Sequence, residues 1–123
     1  MTPDPIDSLD ALRQRIRAFA EARAWERYHT PKNLVMALSV EASELLEPFQ
    51  WLTPEQSRQL GAEQREAVRQ EIADVLIYLT RLADVLDIDL LKAAGDKLAI
   101  NARKYPIDKA RGNALKSTEF PHD

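Results

Sequence analysis

Apolar residues recur along this chain at helical rather than strand spacing. Leu9, Leu12, Ile16, Phe19 and Ala20 follow an i, i+3, i+4 rhythm to about Arg23, behind Ser8, whose hydroxyl suits an N-cap; a first amphipathic helix is predicted there. The segment from Ala24 to Thr30 breaks the rhythm and reads as a loop. Thr30 then caps a second helix with Pro31 at the first position, where proline is preorganised, and Leu34, Leu38, Leu45 and Phe49 mark its buried side until Pro48 and Trp51 close it. Thr53-Pro54-Glu55-Gln56 repeats the cap-then-proline signal and predicts a short helix ending near Gly61. From about Ala62 to Leu86, the residues Val68, Ile72, Val75, Leu76, Leu79, Leu82, Ala83 and Leu86 form the stripe of a long helix. Asp89 caps a last helix from Leu90 to about Lys104, which Tyr105-Pro106 terminates. The expectation is an all-α, four-helix bundle with a short extra helix, one domain over 1–123 with a helical core at about 8–105 and a basic tail at 106–123.

Composition narrows the chemistry. Three glycines, Gly61, Gly95 and Gly112, lie too far apart to build a Gly-rich phosphate loop, so any nucleotide must be held by side chains and metal. The absence of cysteine excludes disulfides, thiolate metal sites and a cysteine nucleophile. With 17 basic and 20 acidic side chains the net charge is −3, so neither nucleic acid nor an anionic membrane is expected as the main partner. The first ten residues lack the basic start and apolar run of a signal peptide, and no stretch of about 18 apolar residues occurs; a cytoplasmic location is expected.

The candidate chemistry lies in two carboxylate pairs. Glu41 and Glu44 are three apart on the second helix, and Glu71 and Asp74 three apart on the long one, so each pair projects from one helix face. At about 100° per residue, Asp74, Tyr78 and Arg81 fall within roughly 80° of Glu71 and the apolar stripe begins about 20° on the other side, which sets the acids at the rim of the core. If the two helices pack as antiparallel neighbours, four carboxylates can face one another and offer hard oxygen ligands to a cation such as Mg2+. Ordinary solvated glutamates are the competing reading of the same spacing. A di-iron carboxylate bundle would need Glu-x-x-His pairs, and the only histidines are His29 in the loop and His122 in the tail.

Charge is segregated along the chain. Residues 101–116 carry Arg103, Lys104, Lys109, Arg111 and Lys116 against Asp108, net +4, while 40–51 carry Glu41, Glu44 and Glu47 with no base, net −3. A metal–triphosphate complex needs both signs, and Lys97, Asn101 and Lys104 share one stripe of the last helix; a solvated chain end is the alternative for the basic segment.

Several ordered motifs then converge. Trp25-Glu26-Arg27-Tyr28-His29-Thr30-Pro31-Lys32-Asn33-Leu34, Glu41-x-x-Glu44-Leu45, Phe49-Gln50-Trp51, Glu71-x-x-Asp74-Val75-Leu76-Ile77-Tyr78-Leu79, Asn101-x-x-Lys104-Tyr105-Pro106 and Arg111-Gly112 resemble the MazG-type all-α nucleoside triphosphate pyrophosphatases, and more narrowly their dCTP pyrophosphatase branch. The resemblance implies hydrolysis between the α- and β-phosphates, giving a monophosphate and pyrophosphate and cleansing the nucleotide pool. It implies that Glu41, Glu44, Glu71 and Asp74 are the catalytic, Mg2+-binding acids, with Mn2+ as a substitute, and that Lys97, Asn101, Lys104 and Arg111 bind phosphate. Trp25, Trp51, Tyr78 and His29 match positions around base and sugar, although two tryptophans and a tyrosine also serve as core, and His29 also suits a role in fixing its loop. Glu47 is a candidate base or a solvated glutamate. The resemblance further implies a homotetramer, a dimer of dimers, and the apolar Leu34, Val35, Met36, Leu38 and Val40 give the second helix more than one stripe to bury. Ile16 stands where animal members carry a base-contacting histidine, and Lys116-Ser117-Thr118 where their tail has Lys-Tyr-Thr, which leaves base preference open. A broad-specificity enzyme of the same family and a non-catalytic helical binding module are the alternatives.

Overall fold

Helix caps do most of the local work. In the computed structural model, which describes residues 4–122, α1 (Leu9–Ala22) starts where Ser8 Oγ accepts from the Ala11 amide at 3.0 Å, and α2 (Pro31–Leu46) where Thr30 Oγ1 accepts from Asn33 at 3.2 Å. A reciprocal capping box between Thr53 and Gln56 opens α3 (Pro54–Ser57), and α4 (Ala62–Val85) follows. Asp89 accepts from Lys92 to open α5 (Leu90–Lys104). Each side-chain oxygen satisfies an orphan amide of the first turn, worth about 1 kcal/mol. No strand occurs among the described residues, and none of their helices is long and apolar enough to cross a membrane.

Two helices end on the same device. After α1, Ala24 adopts φ 53°, the Trp25 amide donates to Ala20 O and the Ala24 amide to Glu21 O; after α4, Asp87 adopts φ 55°, with Ile88 donating to Ala83 O and Asp87 to Asp84 O. Both are Schellman closures with a side-chain-bearing residue at the left-handed position that favours glycine.

Some boundaries differ from the sequence expectation. The loop at 24–30 contains a 3-10 turn, Glu26–Tyr28. α2 stops at Leu46 rather than running to Pro48, whose ring nitrogen has no proton for the next helical bond, and residues 47–52 form turns. α3 ends at Ser57, well before Gly61. The tail is not featureless: it contains α6 (Ile107–Ala110) and a 3-10 turn at Ser117–Glu119.

The described residues divide into two compact units, one ending at Ile88 and one beginning at Asp89. In the first, α4 packs along α2 and also against α1. Leu34, Ala20, Val68 and Ala83 are buried there. The expected α4 stripe is only half covered: Val75 and Leu82 are half-buried, while Ile72, Leu76, Leu79 and Leu86 remain exposed. The stripe is wider than one packing seam, and the seam centres instead on a line that includes Glu71, Asp74, Tyr78 and Arg81. In the second unit Tyr105 meets the buried Phe120 edge to face, with centroids 5.7 Å apart.

Candidate metal and nucleotide site

Burial along α2 recurs at helical spacing, through Leu34, Ala37, Leu38, Glu41, Glu44 and Leu45; along α4 it runs through Val68, Glu71, Asp74, Val75, Tyr78, Arg81 and Leu82. Both stripes belong to the helices that pack together most extensively, so the four acids occupy positions where a helix pair normally sets leucines. Helix packing alone gains nothing from that choice.

Carboxylate oxygens of Glu41, Glu44 and Glu71 all lie within 4.8 Å of one another. Glu41 Oε2 and Glu71 Oε2 are buried and have no hydrogen-bond partner. Asp74 lies outside this three-way group but on the same stripe, half-buried. Burial, and then the adjacent Glu44 carboxylate, push the Glu41 carboxyl up to about 7, with Asp74 and Glu71 adding repulsion of the same sign. Glu71 is raised too, by burial first and then by the charges of Glu44 and Asp74. None of the ion pairs found among the described residues involves these acids. A cluster of hard oxygens with two orphaned acceptors and no countercharge fits a divalent cation.

The other expected residues fall into separate groups. Tyr78 is half-buried one turn beyond Asp74 on α4. Trp25, at the entrance to the 3-10 turn, stands edge-on to Phe19 with centroids 5.8 Å apart, and its ring lies 6.0 Å from that of His29. Arg23 stacks on the outer face of Phe19 at 3.5 Å. Trp51 lies in the turn after α2 and is 86% exposed, so packing within the chain does not account for it. Glu47 is exposed at the C-terminal cap of α2. In the second unit Lys97, Lys104 and Arg111 are exposed and Asn101 is half-buried. There Arg111, Tyr105, Ile107, Asp108 and Ala102 line an open depression of about 820 Å³.

Sequence reasoning did not single out Asp84. Its side chain, 5% exposed, gathers Arg13 at 3.1 Å, Arg17 at 2.5 Å and Arg81 at 3.5 Å; Arg17 first, and then Arg13, hold the carboxyl below the usual carboxylate range against the opposing effect of burial. The i, i+3 spacing of Arg81 and Asp84 and the i, i+4 spacing of Arg13 and Arg17 were the available signals, but their convergence exists only once α1 packs on α4.

Comparison with known proteins gives the same direction. The MazG-like family matches residues 36–120. Human dCTP pyrophosphatase 1 (Homo sapiens) is 42% identical over 123 residues, an alignment covering 98% of this chain and 71% of that protein. Its Bos taurus counterpart is 39% identical over 117 residues, covering 94% and 69%. The fold is similar to the crystal structure of a pyrophosphatase from Archaeoglobus fulgidus, with a TM-score of 0.77 and 39% identity over 86% of this chain and 99% of that one.

Proposed function

Because the chain belongs to the MazG-like family, we propose that it is a Mg2+-dependent nucleoside triphosphate pyrophosphohydrolase that cleaves dCTP or a modified dCTP to the monophosphate and pyrophosphate, cleansing the nucleotide pool. The observation that carries this reading is the pair of buried, unpartnered oxygens on Glu41 and Glu71 within a cluster of carboxylates. In this reading Glu41, Glu44, Glu71 and Asp74 hold Mg2+, or Mn2+ in its place. When bound, the ion neutralises the acids, binds phosphate oxygens and acidifies a water. The protein's own part is to orient: Lys97, Asn101, Lys104 and Arg111 take the remaining phosphate charge, while Trp25, Trp51, Tyr78 and His29 surround base and sugar.

The same reading treats the chain as a single domain of the MazG-like four-helix type and as a homotetramer, a dimer of dimers. Val35, Met36 and Val40 on α2, with Ile72 and Leu76 on α4, stay exposed in one copy and supply apolar surface for such contacts. A cytoplasmic nucleotide substrate, with neither nucleic acid nor membrane as partner, accords with the net charge of −3.

The test is a panel of dCTP, 5-methyl-dCTP, dTTP, dUTP, dATP and dGTP with product analysis by phosphorus NMR. Cytosine nucleotides are expected to turn over fastest, with monophosphate and pyrophosphate appearing together. Diphosphate and orthophosphate as first products would overturn the assignment, and equal rates across the panel would replace it by a broad-specificity enzyme.

A further inference from the structure

Arg81 is a buried arginine, 7% exposed, on the seam face of α4, and the metal chemistry gives it no task. Its Nε–H donates to Nδ1 of His29 at 3.0 Å, across 52 residues of sequence. A guanidinium carries only donors and does not lose its proton in the accessible pH range. The contact therefore admits one arrangement of protons: the Nδ1 of His29 presents its lone pair, and the ring's own proton sits on Nε2.

We infer that Arg81 is a positioning residue for nucleotide binding, holding His29 as the neutral imidazole whose single N–H, at Nε2, donates to an uncharged oxygen of the base or sugar. The inference rests on the reading that His29 belongs to the base and sugar site. Protonating His29 at Nδ1 would set two donors face to face, so the ring cannot become a phosphate-binding cation without breaking the contact.

The surroundings make Arg81 a rigid holder. Asp84, one turn on, lies 3.5 Å from its guanidinium and is itself bound by Arg13 and Arg17 of α1, so α1 and α4 jointly fix the group that fixes the loop. His29 closes the 3-10 turn, its amide donating to Trp25 O and Glu26 O, and its ring lies beside that of Trp25. The charged groups acting on the imidazole are Arg81 from α4, with Asp84 behind it, and Glu26 from its own turn. Burial first, then the Arg81 charge, lower the His29 pKa, and Glu26 opposes them. A neutral donor discriminates among oxygen acceptors on the nucleoside without competing for the triphosphate.

Long-range 1H–15N NMR of the imidazole in the full-length protein tests the first half without any substitution. The expected pattern is the Nε2–H tautomer alone, titrating below the ordinary histidine value of about 6.5. An Nδ1–H tautomer, or a charged ring at neutral pH, would overturn the inference. The second half uses Arg81→Gln, Arg81→Lys and His29→Ala with dCTP. Arg81→Gln should mix the tautomers, raise the His29 pKa and raise KM about tenfold, the loss of one oriented hydrogen bond, while kcat changes less than about threefold. Arg81→Lys, which keeps a charged donor, should recover part of the KM and the tautomer signature together. If His29→Ala raises KM but Arg81→Gln leaves KM and tautomer unchanged, the positioning role fails and the place of His29 at the nucleotide stands. If His29→Ala leaves KM unchanged, the reading of His29 as a nucleotide contact fails, and the inference with it.

Discussion

Acids at two places along α4 end in opposite states. Near the middle of α4, Glu71 joins Glu41 and Glu44 of α2, with Asp74 on the same stripe, and none of the ion pairs among the described residues reaches them; the Glu41 and Glu71 carboxyls are pushed up. At its C-terminal end Asp84 meets three arginines, and Arg17 and Arg13 hold its carboxyl down. Burial opposes ionisation in both places, so burial is not what separates them. The difference lies in who supplies the positive charge. Around Asp84 the chain supplies it and the cluster ties α1 to α4; in the acid seam the chain supplies none among the described residues, and in the proposed reading a cation from solution does.

The largest effect expected from this contrast is on turnover. In the proposed reading Asp74→Asn or Glu41→Gln removes a ligand charge, and either should lower kcat/KM by at least about 100-fold while helical circular dichroism is retained. Stripping divalent ions with a chelator should mimic both variants. Turnover within a few-fold of the parent in either variant would remove the seam from the chemistry.

Next comes stability at the compensated cluster. Asp84→Ala leaves Arg81 buried without its acid and removes the anchor of Arg13 and Arg17, so a loss of about 3 kcal/mol is expected in urea unfolding. Glu41→Gln should do the reverse in metal-free protein, gaining about 1 kcal/mol near pH 8 after allowance for solvent screening. Equal destabilisation by both would erase the distinction.

How much of this was legible in the sequence depends on whether the signal is local. The caps at Ser8, Thr30, Thr53 and Asp89 were readable because each side chain bonds an amide three residues away. The acid pairs were readable for the same reason, as i, i+3 neighbours. The α4 stripe departs from expectation because helical periodicity weighs every apolar position alike, whereas Ile72, Leu76, Leu79 and Leu86 stay outside the seam. The contact between Arg81 and His29 and the meeting of Arg13 and Arg17 at Asp84 join residues 52 to 71 apart, so no spacing rule reaches them.

A smaller effect concerns pH, and its signs differ at the two places. Raised carboxyls favour the folded state while protonated, so their contribution is full below about 4.5 and is lost as pH rises toward about 7 at Glu41. A lowered carboxyl does the opposite: Asp84 contributes above the ordinary value near 4 and loses that contribution as pH falls through its folded value. Metal-free protein should therefore be most stable between about pH 4 and 5, and millimolar Mg2+ should move the optimum upward by neutralising the seam. Thermal melts from pH 3 to 9 with and without Mg2+ measure this, and an optimum that ignores the ion would argue against cation binding.

The smallest effect separates the spokes of the Asp84 cluster from its hub. The Arg13 and Arg17 side chains are 35% and 46% exposed, against 5% for Asp84, so each ion pair is partly screened by water. Arg13→Gln or Arg17→Gln alone should therefore cost much less than Asp84→Ala, and less still at high salt, because the remaining arginines still neutralise the carboxylate. Removing both leaves Asp84 with Arg81 alone, at 3.5 Å, so the double variant should lose more than the sum of the single losses. The acid seam predicts the opposite curvature: once Glu41→Gln has relieved the repulsion, adding Glu71→Gln to metal-free protein should gain less than it gains alone. Two double-mutant cycles under urea, run without divalent ions, measure both curvatures. Additivity within about 0.3 kcal/mol at the Asp84 cluster would mean that the arginines act independently, and the chain's supply of charge there would not be a cooperative unit.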